Sequence, residues 1–235
     1  MNAAPLATAV LGGVAALDAE PVAQILFSQP LVTATVLGFV WGDWATAFEV
    51  GIVLQVLAAS TLPVGSRTPE DYATGGVVGV GLALALANHE AFTIAKQGCA
   101  MLGVLVGMVV ATAGVPLLKW KRRTNEGLAR WCEEAVRAGD AGAPARAQGA
   151  AIVLSFALGV TYTALCLGAG IVLLDRLAAQ ESLRLARAWT LARPLWLGLG
   201  LAQVLNAFLQ RRLTRGVAFG AALVATWMFL MIGGR

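Results

Sequence analysis

Residues 29–43 read QPLVTATVLGFVWGD, and this stretch decides how the chain is interpreted. A proline opens an apolar run that Gly42 and Asp43 close after about a dozen residues, whereas a helix needs about 20 apolar residues to cross a bilayer. Transporters form sites near the middle of the membrane from short, proline- or glycine-interrupted apolar segments of this kind. A turn at the membrane surface would give the same pattern, and the pattern alone favours neither reading.

Short or interrupted apolar runs lie on both sides of this stretch. Non-helical backbone at membrane depth needs protein or a water-filled cavity around it. We therefore expect an all-α integral membrane protein, a polytopic helical bundle with short, interrupted or re-entrant helical segments. The runs cover residues 3–17, 25–41, 45–64, 75–87 and 91–118.

The composition excludes an ordinary soluble domain. Hydrophobic residues make up 58% of the chain and charged residues 13%, against about 45–50% and about 25% in soluble proteins. The net charge of +4 does not indicate nucleic-acid binding, because lysine and arginine concentrate between apolar runs and no basic stripe alternates with stacking aromatics. Such a distribution is typical of loops on the cytoplasmic side of a membrane.

The charge pattern divides the chain into three parts. We expect an N-terminal membrane half over residues 1–118, a cytoplasmic loop over 119–148 and a C-terminal membrane half over 149–235. The loop holds seven basic residues and is predicted to contain a short helix. In the last part, residues 150–174 are predicted to form a clean span, and residues 175–193, which are dotted with arginines, an interfacial helix.

Three passages together carry a resemblance to a known family. They are residues 29–43, residues 51–65 with GIVLQ at their start and PVG at their end, and the PED of residues 69–71. In this order and spacing they resemble the IIC membrane component of the mannose/sorbose family of the bacterial phosphoenolpyruvate-dependent sugar phosphotransferase system. The resemblance continues at residues 88–90 and returns at residues 200–222.

The resemblance implies a sugar-translocating subunit of the bacterial inner membrane. Such a subunit lies in membrane lipid, pairs with a second membrane subunit, IID, and assembles with further copies of that pair. Together they pass a hexose-like sugar to the cytoplasmic IIB protein, whose phosphoryl group comes from IIA. The IIC chain itself is not phosphorylated, so we expect any enzyme activity to belong to the complex. No cofactor is implied, and the three cysteines have no metal-site spacing.

The resemblance also implies candidate sugar-binding residues. Asp43, Gln55 and Asp71 occupy motif positions and are the first choices, and Asn206 falls at a matching polar position. Carboxylates and amides suit this role because they hydrogen-bond to hydroxyl groups. Gln55 departs from the pattern, since family members often carry glutamate there. His89, the single histidine, is interpreted as structural first, as a sugar ligand second and as a phosphoryl acceptor last.

Other polar residues in the apolar runs have simpler interpretations. Glu49 lies six residues before Gln55 and points some 240° around a helix from it, so it is not a replacement for a carboxylate at position 55. Lys96 is predicted to pair with a carboxylate. Gln29 is a weaker sugar-binding candidate, because a buried amide in a membrane helix more often bonds to another helix.

Two alternative functions stay open at the level of sequence. The glutamine at position 55 and the arginine-rich second half would suit a non-transporting sensor or scaffold that retains the IIC fold. An unrelated small-solute permease subunit would transport without phosphorylating its substrate.

Overall fold

A computed structural model describes residues 3–20, 22, 24–59, 68–88 and 96–208, together with isolated positions between 214 and 228. This part of the chain is predominantly α-helical. Eight helices follow one another in it: α1 (Ala4–Ala19), α2 (Pro30–Trp41), α3 (Trp44–Ala58), α4 (Tyr72–Ala87), α5 (Lys96–Ala113), α6 (Val115–Arg137), α7 (Ala143–Gln180) and α8 (Ser182–Phe208).

Helices α2 and α3 form a short hairpin. They contain 12 and 15 residues, so they rise about 18 and 23 Å, less than the roughly 30 Å hydrocarbon core of a bilayer. Between them Gly42 takes a left-handed conformation with a φ of 73° and ends α2. Asp43 then caps α3 by accepting a hydrogen bond from the backbone N–H of Thr46. The break that the sequence indicated at these two residues is confirmed.

Helix α4 occupies the centre of the bundle. Of its 16 residues, 13 are buried, and it packs against α1, α2, α3, α5 and α7. Glycines permit its close contact with α5: a Cβ at Gly79 would lie only 2.6 Å from the carbonyl oxygen of Gly103. Small residues at membrane helix contacts allow backbones to approach in this way.

Helices α6, α7 and α8 are longer than the sequence indicated. Helix α6 has 23 residues and α7 has 38. Residues 175–193, expected as one interfacial helix, are instead divided at Glu181 between the end of α7 and the start of α8. Alanine, leucine and arginine favour helix on both sides of that point, and Pro194 lies inside α8 without ending it.

Two helical stretches of the described chain are long and apolar enough to cross a membrane, namely Lys96–Arg137 and Ala143–Gln180. Large apolar side chains also face outward on several helices, where water would penalise them and lipid would not. Examples that are about two-thirds exposed or more are Leu6, Phe39, Val109, Val172 and Leu195.

The polar contacts described below gather at the two ends of the hairpin. At one end α1, α3 and α5 finish, α2 and α4 begin, and α6 follows α5 after Gly114; we name it the α6 end. At the opposite end α2 finishes and α3 and α5 begin.

Candidate functional site

Two glutamines join the helices of the hairpin at the α6 end. The Nε2 group of Gln55 donates a hydrogen bond of 2.7 Å to Oε1 of Gln29. Its Oε1 accepts one of 3.2 Å from the backbone N–H of Leu31, a donor that has no partner inside α2 because it lies in the first helical turn. Gln55 therefore caps α2 from a neighbouring helix. Nε2 of Gln29 makes no hydrogen bond within the described residues.

A cavity of about 280 Å³ opens beside this amide pair. Gln29 forms part of its wall, and Gln55 lies behind Gln29 rather than in the wall. The volume is close to the lower end of the range of about 300–1,000 Å³ for small-molecule sites. The polar residues that line the cavity are Glu20, Ser28, Gln29, Glu70, Asp71, Tyr72 and Lys121.

Asp71 lines the cavity and begins α4. Its Oδ1 accepts a hydrogen bond of 3.2 Å from the backbone N–H of Thr74, and its Oδ2 accepts one from the Thr74 hydroxyl. The backbone N–H of Asp71 donates to the carbonyl oxygen of Ala111 at 2.9 Å, which ties it to α5. Each carboxylate oxygen can accept two hydrogen bonds, so Asp71 keeps acceptor capacity for a ligand.

A lysine–carboxylate pair closes one side of the cavity. Nζ of Lys121 on α6 lies 2.7 Å from Oε2 of Glu20, which follows α1, and the lysine side chain is only 5% exposed. Arg122 approaches the other oxygen of Glu20 at 3.3 Å. Burial raises the pKa of Glu20, but the hydrogen bonds and charges of Lys121 and Arg122 outweigh it and hold the pKa below its ordinary value.

Asp43 lies at the opposite end of the hairpin with both carboxylate oxygens engaged. Oδ1 accepts from the backbone N–H of Thr46 at 3.1 Å, and Oδ2 accepts from the Thr46 hydroxyl at 3.0 Å and from Nζ of Lys96 at 3.1 Å. The prediction that Lys96 pairs with a carboxylate is confirmed. Because 12 residues of helix separate Asp43 from Gln55, the two lie about 18 Å apart along α3.

Glu49 contacts a different helix from Gln55. Its Oε2 accepts a hydrogen bond of 3.2 Å from Nε1 of Trp189, and its Oε1 accepts one of 3.2 Å from Arg193. Both partners lie on α8, whereas Gln55 contacts the start of α2. The angular separation that the sequence predicted is therefore confirmed, and Glu49 does not take the place of a carboxylate at position 55.

The structure brings together only part of the predicted set. Gln55 and Asp71 lie at the α6 end and Asp43 lies at the other. His89 lies outside the described residues, and Asn206 lies in the last turns of α8, where its side chain is not described.

Sequence reasoning missed Glu20 and Lys121 as parts of the cavity wall. Two acidic residues directly after the first apolar run, Asp18 and Glu20, were the available signal. The partner of Glu20, Lys121, lies about a hundred residues further along the chain, so no local pattern could connect them.

No curated protein matches this sequence, but solved structures, among them the following two, share its fold. One, described as a membrane protein, is 16% identical with a TM-score of 0.73, and the match covers 100% of this chain and 94% of the other. The second is the mannose transporter ManYZ in complex with microcin E492, 17% identical with a TM-score of 0.58, covering 95% and 92%. A family model described as the sorbose-specific IIC component of the PTS system matches residues 5–234. The chain therefore belongs to the family of sorbose-specific IIC components of the sugar phosphotransferase system.

Proposed function

We propose that this chain is a sugar-translocating IIC subunit that binds a hexose-like sugar in the cavity at the α6 end. The observation that carries the proposal is the wall of that cavity. It offers the Nε2 donor of Gln29 and the acceptor oxygens of Asp71, supported from behind by Gln55. A concave pocket with a few converging polar groups is the usual form of a small-molecule site.

The candidate residues receive different roles in this proposal. Asp71 accepts hydrogen bonds from sugar hydroxyls, and Gln55 acts by holding Gln29. Asp43 lies about 18 Å away along α3, a distance that one monosaccharide does not bridge. We assign Asp43 to a second position of the sugar on its path.

The amide at position 55 is compatible with this function. A glutamate there would also accept the backbone N–H of Leu31, but it could not donate to Oε1 of Gln29, whose amide would have to turn. The glutamine holds the same two helices together without a charge. We therefore expect transport, and not only a retained fold, from this chain.

The membrane location and the partner subunits of this chain follow from the same proposal. We place the chain in the bacterial inner membrane as a multi-pass protein, with the basic helix α6 in the cytoplasm, where IIB, charged by IIA, approaches the cavity. The apolar outer faces of α7 and α8 contact lipid and the IID subunit, and further copies of the IIC–IID pair complete the assembly. Exposed apolar residues on these faces are Leu165, Val172, Leu173, Leu191 and Leu195.

The experiment measures uptake and phosphorylation of a panel of radiolabelled hexoses in cells that co-express the partner IIA, IIB and IID proteins. We expect one sugar to be taken up and phosphorylated, and Gln29→Ala to lower its uptake about tenfold or more, the effect of losing one or two buried hydrogen bonds. The matched control is Gln180→Ala, an exposed glutamine at the end of α7, which should leave uptake unchanged.

The other outcomes separate the alternatives. Uptake without phosphorylation would indicate a permease of a different kind. A complex that docks IIB but takes up no sugar would indicate a sensor or scaffold. Normal uptake by Gln29→Ala would show that the cavity at the α6 end is not the sugar site.

A further inference from the structure

Residues 24–28, which lie between α1 and α2, are bound to one carboxylate, that of Asp18. Oδ1 of Asp18 accepts a hydrogen bond of 2.8 Å from the backbone N–H of Ile25, and Oδ2 accepts one of 2.7 Å from the backbone N–H of Ser28. The aspartate is only 6% exposed. Hydrogen bonds between an ionised carboxylate and backbone N–H groups are short and strong, so Asp18 holds this segment at two points.

The segment has a strained backbone at two residues whose own side chains are exposed. Gln24 and Leu26 have positive φ angles of 52° and 68°, and within the described chain they are the non-glycine residues with this property. The left-handed region is unfavourable for a side chain as bulky as leucine. Ile25 and Leu26 are both about two-thirds exposed or more. Phe27 packs against the core, and Nε2 of Gln24 donates to the carbonyl oxygen of Glu20 at 2.7 Å. The two bonds to Asp18 hold the chain on either side of the strained Leu26, at the N–H groups of Ile25 and Ser28.

The strained residues connect directly to the cavity wall. The backbone N–H of Gln29 donates to the carbonyl oxygen of Leu26 at 3.1 Å, and Ser28, which Asp18 binds, immediately precedes Gln29. Ser28 and Gln29 both line the cavity. The position of the Gln29 amide, which bonds to Gln55 and faces the cavity, thus depends on a loop shape that Asp18 imposes.

We propose that Asp18 is a positioning residue for the sugar site: it does not contact the sugar, but it holds the loop that presents Gln29. The inference rests on the proposed function of the cavity. Strain of this kind persists only where surrounding contacts enforce it, and it is concentrated at binding sites. Asp18 itself belongs to α1, and its carboxylate bonds to the backbone of Ile25 and Ser28 and to the side chain of Ser28.

The test is a double-mutant cycle on sugar affinity, measured with the purified membrane complex and the radiolabelled sugar identified by uptake. Asp18→Asn preserves the size of the side chain but sets an amide N–H₂ against one of the two backbone N–H groups. We expect it to raise the Kd about tenfold in the wild-type background. In the Gln29→Ala background the same change should raise the Kd less than about twofold, because the residue through which Asp18 acts is already absent.

Two further variants separate positioning from general destabilisation. Asp140→Asn is the matched control, since Asp140 also accepts a backbone N–H, that of Gly142 at 3.0 Å, but lies away from the cavity. It should leave the Kd unchanged. Asp18→Glu keeps the charge and moves the carboxylate outward, so it should also raise the Kd, and it serves if Asp18→Asn does not fold.

The proposal is overturned if Asp18→Asn and Gln29→Ala act additively on the Kd, or if Asp18→Asn lowers the melting temperature without changing the Kd. If the wild-type complex binds no sugar, the proposed function fails. The position of residue 29 is then tested separately with the thiol that Gln29→Cys introduces, in a protein whose native cysteines are changed to serine. Asp18→Asn should then change the rate at which a maleimide labels that thiol; an unchanged rate overturns the inference on its own.

Discussion

The two ends of the α2–α3 hairpin both contain a lysine–carboxylate pair, but the surroundings of the two pairs differ. At the α6 end the side chain of Lys121 is 5% exposed and that of Glu20 is 31% exposed, and a neutral amide pair and a cavity lie beside them. At the opposite end the side chain of Lys96 is 46% exposed and that of its partner Asp43 is 11% exposed, so here the cation and not the carboxylate is the exposed member. The oxygens of Asp43 also cap α3.

This difference teaches that burial decides what a charged pair does in this protein. A buried cation that loses its partner is costly, whereas an exposed pair contributes little because water and salt replace it. The α6 end should therefore be sensitive to any change of charge, while the opposite end should be sensitive mainly to the loss of the helix cap. The following variants test that contrast.

The largest effect is expected from Glu20→Gln. It leaves the buried ammonium of Lys121 without a counter-charge, and we expect the free energy of unfolding to fall by about 2–3 kcal/mol, less than the roughly 3–5 kcal/mol for a fully buried pair because Glu20 is partly exposed. Chemical unfolding of the purified protein in detergent measures it. Glu133→Gln removes a loose, exposed pair with Arg137 at 3.9 Å and should change nothing.

Acid should remove the stabilisation that Glu20 contributes through its pair with Lys121. The pKa of Glu20 is lower in the folded protein than its ordinary value of 4.5, because Lys121 and Arg122 outweigh the effect of burial. Between the folded and the unfolded pKa of Glu20, the unfolded chain therefore binds more protons than the folded one. The stability that is present above about pH 4.5 is lost as the pH falls further. A titration of unfolding against pH should show a shallower acid dependence for Glu20→Gln. Equal slopes for the two proteins would contradict the assignment.

A smaller effect is expected from Gln55→Leu, which removes the cap of α2 and the partner of Gln29. An unsatisfied buried donor costs about 1–3 kcal/mol, and we expect at least about a tenfold loss of sugar affinity from the displacement of Gln29. Gln55→Glu is the matched variant, since it retains an acceptor for the Leu31 N–H and should lose less. Equal losses in both variants would mean that the donor to Gln29, and not the cap, matters.

Asp43→Ala should act mainly on stability. Loss of an N-cap aspartate costs about 1 kcal/mol, and Asp43→Asn, which keeps an acceptor for the Thr46 N–H, should cost less. Sugar affinity at the α6 end should stay unchanged, while uptake should fall if the sugar also visits Asp43. A loss of equilibrium affinity as large as that of Gln55→Leu would place Asp43 in the same binding position and would break the contrast between the two ends.

The smallest effect is expected from Lys96→Met. An exposed ion pair contributes about 0–1 kcal/mol, and the side chain of Lys96 is nearly half exposed. The change in unfolding free energy should disappear at high salt, because screening already weakens the wild-type pair. A loss that persists in 1 M salt would indicate that water does not reach the pair.

Sequence patterns were sufficient for the short helices and for the break at Gly42 and Asp43, because both depend on local chemistry. The apolar runs ended within about two residues of the ends of α1, α2 and α4, and the left-handed turn needs a glycine. The family could also be predicted, because its main motifs follow one another in order within the N-terminal half of the chain, residues 1–118. The division of residues 175–193 between two helices was not predicted, since those residues favour helix throughout.

The candidate site was only partly predictable, because its contacts join distant parts of the chain. Gln55 and Asp71 were named from the motifs, but the bond between Gln55 and Gln29 spans 26 positions. In the sequence Asp18 is simply the residue that ends an apolar run. Its hydrogen bonds with the backbone of Ile25 and Ser28 depend on a backbone conformation that no residue pattern predicts. Helix spacing correctly separated Glu49 from Gln55, because that inference needed only one helix.

The shortness of the α2–α3 hairpin has a consequence for how the protein is made. Neither helix is long enough to span a bilayer alone. The carboxylate of Asp43 at the turn and the amide of Gln55 near the end of α3 both need protein around them. Helix α4, which supports the hairpin, leaves the ribosome after it, and α5, α7 and α8 follow later still. We therefore expect insertion of this chain to have an order, in which the hairpin reaches its final depth only after the later helices are inserted beside it.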